Sequence, residues 1–269
     1  MKRLILTYNQ SCNLNCKFCY IDFHHKKIED RSISIVKQAI QLGIDIITFG
    51  GGDSFSKRDF REAYKIAHQK QLITHVDTNT ISINGFDDFK FIEDNIDMLG
   101  VSIDAIGDKY NQFRDSKRLF QKLNHTLHQL EGYSIDIKVN TILTAQNLNF
   151  IPDIFEYIKT LKNIKRWSIY QFFPLSSARR FEGIYKISDS DFEETLKFLN
   201  TSKTDLIIEK NKYTDRVEGY IFCDEEGNLY TNNINGEYLS LGSIFDKEVT
   251  ENVFSIDTLI NPKIKQRYK

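Results

Sequence analysis

Short apolar, β-branched runs recur along this chain, and each is followed by a longer stretch whose apolar residues return every three or four positions. The runs at 3–8, 45–49, 73–77, 98–104, 133–143 and 165–173 predict strands. The periodic stretches at 32–42, 57–69, 86–95, 119–130 and 151–161 predict helices, the first of them closed by Gly43. Strands alternating with helices predict right-handed βα units on a parallel sheet. Six such units in about 175 residues match the spacing of a parallel barrel, which takes about 250 residues for eight. The fold class expected is therefore α/β, a partial (βα)6 TIM-like barrel over residues 1–177. After 177 the pattern changes to a helix near 189–199, a strand near 205–209, and a hairpin over 219–230 turned at Glu226-Gly227-Asn228. This part, 178–269, is expected to be a C-terminal α+β extension that caps the open barrel.

Charge and composition narrow the function classes. The 36 Lys+Arg residues nearly balance 37 Asp+Glu residues, which argues against a nucleic-acid polymer as partner. No apolar stretch reaches the length of a membrane span, so no membrane partner is expected. The opening Met1-Lys2-Arg3-Leu4-Ile5-Leu6-Thr7-Tyr8 turns polar too early for a secretory signal and predicts a strand that starts at once. A cytoplasmic protein is the expectation.

The cysteines are the chemical signal. Of four, three stand in the run Cys12-Asn-Leu-Asn-Cys16-Lys-Phe-Cys19, and the fourth, Cys223, is far away. A disulfide framework would spread its cysteines to close long loops, whereas thiols packed this closely read as ligands for zinc, copper(I) or an iron–sulfur cluster. A closed zinc site needs four ligands, and Cys223, His24 or His25 is a candidate for the fourth. Three thiolates on an iron–sulfur cube would leave one iron open to a substrate or cofactor. The cysteine run follows the first predicted strand, and Gly50-Gly51-Gly52-Asp53 follows the second. Both therefore fall on the C-terminal rim of the barrel, where such folds build their active sites. In the fifth strand Ile135, Ile137 and Val139 share one face, and Asp136, Lys138 and Asn140 share the other. A lysine inside the barrel needs a partner, either Asp136 or an anionic ligand. Ser102 and Asp104 likewise share a face of the fourth strand.

Cys12-x-x-x-Cys16-x-Phe18-Cys19 after one strand, with Gly51-Gly52-Asp53 after the next, resembles the radical S-adenosylmethionine (SAM) superfamily. The resemblance implies an enzyme in which Cys12, Cys16 and Cys19 hold a [4Fe–4S] cluster and SAM chelates the fourth iron. It further implies that the reduced cluster cleaves SAM to a 5′-deoxyadenosyl radical, which takes a hydrogen atom from the substrate. Phe18, Gly51, Gly52 and Asp53 would then contact the cofactors. Asp53 is one methylene shorter than the glutamate usual in the family, and Ser54 stands where the family has proline. Thr48–Phe55, Lys138–Ile142, Lys165–Phe172 and Ile187–Phe192 resemble viperin-type nucleotide dehydratases in particular. By that likeness Ser102, Arg114 and Asn140 would contact SAM, and Lys138 and Arg166 would hold substrate phosphates, Lys138 also among the catalytic residues. The likeness implies a lyase in antiviral defence, with a nucleotide as small-molecule substrate and a flavodoxin or ferredoxin as reducing partner. Ser168 departs from it, replacing a second basic residue. Two alternatives stand beside this reading: a radical SAM enzyme modifying a peptide or other small molecule, and a non-enzymatic zinc-binding barrel protein.

Overall fold

The protein is described here by a computed structural model over residues 2–255; the end of the extension, 256–269, lies outside the described residues. Strands β1 (Arg3–Thr7), β2 (Ile46–Gly50), β3 (Ile73–Thr78), β4 (Met98–Ser102), β5 (Ile137–Leu143) and β6 (Ile164–Gln171) pair in parallel, in chain order. The crossovers carry α1 (Ser32–Gln41), α2 (Phe60–Gln69), α3 (Phe86–Asn95), α4 (Asp108–Phe113), α5 (Leu119–Leu130) and α6 (Ile151–Lys159). This is the expected α/β partial barrel. Strand alternation divides its residues between two faces. Leu4, Leu6, Phe49, Val76, Leu99, Val139 and Trp167 are fully buried in one core with Val36, Tyr64, Ile92, Leu123 and Ile158 of the helices. Arg3, Ile5, Thr48, Asp77, Ser102, Lys138, Asn140 and Tyr170, on the opposite face of the same strands, line a cavity of about 260 Å³.

Several boundaries differ from the sequence reading. β5 begins at Ile137 rather than 133, so Asp136 is exposed in the loop before it. The second helix starts at Phe60 because a 3-10 turn, Ser54–Ser56, intervenes after the glycine loop. The six-residue α4, entered through Gly107 at φ +63°, is too short to show a hydrophobic period. Among the described residues no helix is long and apolar enough to cross a membrane.

The stretch expected as a cap enters the sheet itself. After α7 (Glu182–Tyr185) and α8 (Asp189–Thr195), β7 (Ile207–Asn211) adds in parallel beside β6. The hairpin of β8 (Phe222–Asp224) and β9 (Asn228–Asn232) adds on the other side, β8 parallel to β1. Then β10 (Tyr238–Ser243) and α9 (Lys247–Ser255) follow, giving the order β10-β9-β8-β1-β2-β3-β4-β5-β6-β7. An open barrel leaves two rows of unpaired backbone groups, and the extension pairs both of them.

Candidate active site

The cavity sits where the sequence placed the chemistry, at the C-terminal ends of the parallel strands. Cys12, Cys16 and Cys19 all line it with free thiols, in the loop leaving β1. The loop is turned by a bond from the Cys19 amide to the Cys16 carbonyl at 3.0 Å. It is held in place by Lys57, whose Nζ donates to the Ser11 carbonyl at 2.6 Å. Phe18 stacks on Phe113 at 4.6 Å between ring centroids and lies edge-on to Tyr185. Burial pushes all three thiols upward, Cys19 to about 12.

The glycine loop lies directly beneath. Gly51 and Gly52 line the cavity at φ +77° and +60°, a region L-residues with a side chain enter at a cost. A Cβ on Gly52 would stand 2.8 Å from the Ser11 carbonyl oxygen and 3.0 Å from that of Tyr8. The glycine therefore lets the β2 loop pack backbone to backbone under the cysteine loop. Asp53 does not reach the cavity wall. It is fully buried, accepting from the Thr78 hydroxyl at 2.6 Å and from the Asn13 amide at 3.0 Å, and so ties the cysteine loop to the end of β3.

Two ionic arrangements complete the wall. Arg114 binds Asp104 through Nε at 2.7 Å and Nη2 at 2.6 Å, and its Nη1 is 3.8 Å from the Cys16 sulfur. Asp104 is fully buried and also accepts from the Ile142 amide at 2.8 Å. Across the strands, Asn140 donates to Asp77 Oδ1 at 2.8 Å, and His75 Nε2 lies 3.2 Å from the same oxygen. Burial opposes ionisation of Asp77, but His75, Lys138 and Arg3 outweigh it and hold the carboxyl well below the usual range. Lys138 is 5% exposed and donates to the Tyr170 hydroxyl at 3.0 Å. Burial pulls its ammonium down, yet Tyr170, Asp77 and Glu209 hold it above the ordinary lysine value.

Residues 6–158 match the family model of the radical SAM superfamily. The chain belongs to that superfamily. Among curated relatives, the S-adenosylmethionine-dependent nucleotide dehydratase of Flammeovirga pacifica is 26% identical over 94% of this chain and 91% of its own. A protein of the same description from Lacinutrix mariniflava is 26% identical over 83% of this chain, which spans 49% of that relative. Streptococcus suis SuiB bound to S-adenosylmethionine superposes with a TM-score of 0.75 at 13% identity, over 97% of this chain and 67% of SuiB. That likeness is one of fold. The protein is a radical SAM enzyme, and its cofactors are SAM and a [4Fe–4S] cluster.

The residues present suit those cofactors. No three His, Cys, Asp or Glu side chains among the described residues converge on a single metal ion. A four-iron cube binds each thiolate at a separate iron, so its three cysteines need not converge. Asn140 Oδ1 is a buried acceptor with no hydrogen-bond partner, suited to a ligand donor such as an ammonium or hydroxyl. Cys223, fully buried beside Leu6 of β1, lies in the hydrophobic core away from this cavity.

Of the sequence-predicted site residues, Cys12, Cys16, Phe18, Cys19, Gly51, Gly52, Ser102, Arg114, Lys138 and Asn140 come together around the one cavity. Asp53 and Arg166 do not line it. Arg166 is bound to Glu209, Nη1 to Oε1 at 2.6 Å, and the other Glu209 oxygen accepts from the Ser168 hydroxyl. The expected Asp136 partner of Lys138 is also displaced, because Asp136 precedes the strand. Sequence reasoning missed Asp77, Arg3, Tyr170, Arg216 and Tyr220. Asp77, Arg3 and Tyr170 were legible as polar members of strands, but only the assembled sheet puts them on the cavity side.

Proposed function

We propose that this radical SAM enzyme removes a hydrogen atom from a phosphorylated small molecule, a nucleotide, in a lyase-type dehydration. The observation that carries the reading is Lys138, an almost fully buried ammonium in the wall of the cavity that the three thiols share, with a phenol as its hydrogen-bond partner. Among the described residues no carboxylate forms an ion pair with Lys138, and a buried cation so placed suits an anionic ligand. The two nucleotide dehydratases that are 26% identical to this chain support a nucleotide as that ligand.

When bound, the cluster and SAM supply a carbon radical able to abstract hydrogen. Cys12, Cys16 and Cys19 would hold the cluster, and the Arg114 guanidinium beside Cys16 would offset negative charge there. Gly51 and Gly52 would present backbone carbonyls to the SAM ammonium, while Ser102 and Asn140 would bind its remaining polar groups. Phe172, Phe173, Leu175 and Phe222 give the cavity an apolar wall that keeps water from a reactive radical. Lys138 would hold the substrate's phosphate and orient the bond to be broken. A flavodoxin or ferredoxin of the cytosol would serve as electron donor.

The test is anaerobic reconstitution with iron and sulfide, followed by measurement of 5′-deoxyadenosine release under dithionite. Pyrimidine and purine nucleotides with one to three phosphates are supplied in turn. Acceleration by one base series is expected. Indifference to every nucleotide would remove this reading.

A further inference from the structure

We infer that Asp77 reads the sugar of the substrate, its Oδ2 accepting a hydrogen bond from a ribose hydroxyl seated in the recess that Gly50 leaves beside it. The inference rests on the phosphorylated-nucleotide reading above and names the group of the nucleotide that this carboxylate selects.

The two carboxylate oxygens of Asp77 have different surroundings. Oδ1 is occupied by the protein: the Asn140 amide donates to it at 2.8 Å, and His75 Nε2 lies 3.2 Å away. No hydrogen bond among the described residues reaches Oδ2, while the side chain keeps 37% of its surface open and lines the cavity. A carboxylate fixed through one oxygen and bare at the other is set to receive a donor from a ligand.

The space beside Oδ2 has the shape and the partners for a hydroxyl. A Cβ on Gly50, the last residue of β2, would stand 3.6 Å from Oδ2 and 3.8 Å from both Ile5 Cγ2 and the Tyr20 hydroxyl. All three side chains line the cavity, so the absent side chain leaves room for one small group between carboxylate and phenol. Burial and the Asp77 charge push the Tyr20 phenol upward, which keeps it an O–H donor. A hydroxyl can donate to the one and accept from the other, whereas an ammonium has no acceptor to offer.

Strand register places this recess on the substrate's side of the cavity. Asp77, Gly100 and Lys138 form one row across β3, β4 and β5, and Ser102 with Asn140 form the row two residues nearer the rim. Asp77 therefore shares the row of the lysine assigned to phosphate, below the row assigned to SAM. The phosphate and the ring hydroxyls of a 5′-nucleotide are carried by the same ribose. Like charge keeps the phosphate away from Asp77 and toward Lys138, which leaves the carboxylate to the hydroxyls, an acceptor role that acidic residues also take in dinucleotide sites.

Calorimetric titration of the anaerobically reconstituted, SAM-loaded full chain with ribose 5-phosphate and its 2-deoxy and 3-deoxy forms tests this apart from any base. Wild type is expected to prefer ribose 5-phosphate over at least one deoxy form by about 100-fold. Asp77→Asn is expected to narrow that ratio to about ten-fold or less. Gly50→Ala, which leaves the Asp77 partners in place and fills the recess, is expected to narrow it as well. A purely structural role for Asp77 would weaken all three sugars by one factor and leave the ratio unmoved. Melting curves identify a misfolded Asp77→Asn protein, and the ratio in Gly50→Ala then decides. The assignment is overturned if wild type binds the deoxy sugars as tightly as ribose 5-phosphate, or if the ratio survives in both folded variants. It is equally overturned if Asp77→Asn loses affinity for SAM alone, which would give Oδ2 to the ribose of the cofactor. Asp77-dependent sugar discrimination with no nucleotide-accelerated SAM cleavage retains the assignment and discards the nucleotide reading. Nucleotide-accelerated cleavage with a ribo-to-deoxy preference unmoved by Asp77→Asn and Gly50→Ala does the reverse.

Discussion

Gly52 shows how much of the site depends on a single missing methyl group. Its φ of +60° and the two carbonyls within 3.0 Å of a would-be Cβ leave no position for a side chain. Gly52→Ala is expected to cost about 1–2 kcal/mol from the left-handed backbone alone. It should also weaken SAM binding by shifting the cysteine loop, which equilibrium binding of SAM and a urea melt would measure together. Arg114 is a different kind of dependence. Replacing it by methionine strands the buried Asp104 carboxylate, an expected loss of about 3–5 kcal/mol. In Arg114→Met/Asp104→Asn the loss should be smaller than in the single arginine variant, and urea unfolding of the three proteins checks this. For each cysteine of the loop, substitution by alanine is expected to abolish the visible absorption of the reconstituted cluster while the Cys223→Ala protein keeps it.

Among elements, the run β3–β4–β5 makes the polar half of the wall through a position that carries no side chain. Gly100 of β4 stands in register between Asp77 and Lys138. A Cβ there would collide with the Asp77 carboxylate, and without one Asp77 reaches over β4 to Asn140. Period-two alternation made the cavity-facing positions of β5 legible, because a strand buried on both sides still separates its faces by sequence parity. The partner of Lys138 was not legible: Asp136 is its neighbour in sequence, whereas Tyr170 and Asp77 are its neighbours across strands. The depressed Asp77 carboxyl has a consequence for pH. Folded, it stays ionised below the unfolded value of about 3.9. Its contribution is thus complete above pH of about 4 and declines as acid titrates the folded group. The stability gap between wild type and Asp77→Asn should shrink as pH falls below about 4. Any change between neutrality and that point belongs to His75, whose own pKa burial lowers. Urea midpoints across that range measure it. A gap that instead stays constant or widens below pH of about 4 would show that Asp77 is not held ionised in the folded protein.

At the scale of the molecule, the extension closes the sheet and furnishes the cavity. β7 covers the β6 edge and β8 covers the β1 edge, while Arg216, Tyr220 and Phe222 enter the cavity wall. A chain ending at residue 205 would expose both edges of the parallel sheet, an arrangement prone to edge-to-edge association. Such a truncation is expected to aggregate and to lose the cooperative thermal transition of the full chain, which light scattering and circular dichroism would follow. The βα repeats were legible because each strand and helix advertises its own burial period over local sequence. The sites of β7 and β8 were not, since a strand's hydrophobicity says that it will be paired and not which edge will receive it.

By itself, then, the amino-acid order determined the βα alternation, the three-thiol loop after the first strand and the glycine turn after the second, all of which follow from residues within one element of each other. Tertiary structure alone decided that Arg166 is bound to Glu209, that Asp53 braces a loop instead of facing the cavity, and that Asp77 meets Asn140 across β4. Those outcomes turn on strand register and on the two edges chosen by the extension. Both are settled by long-range backbone pairing, for which local periodicity carries no signal.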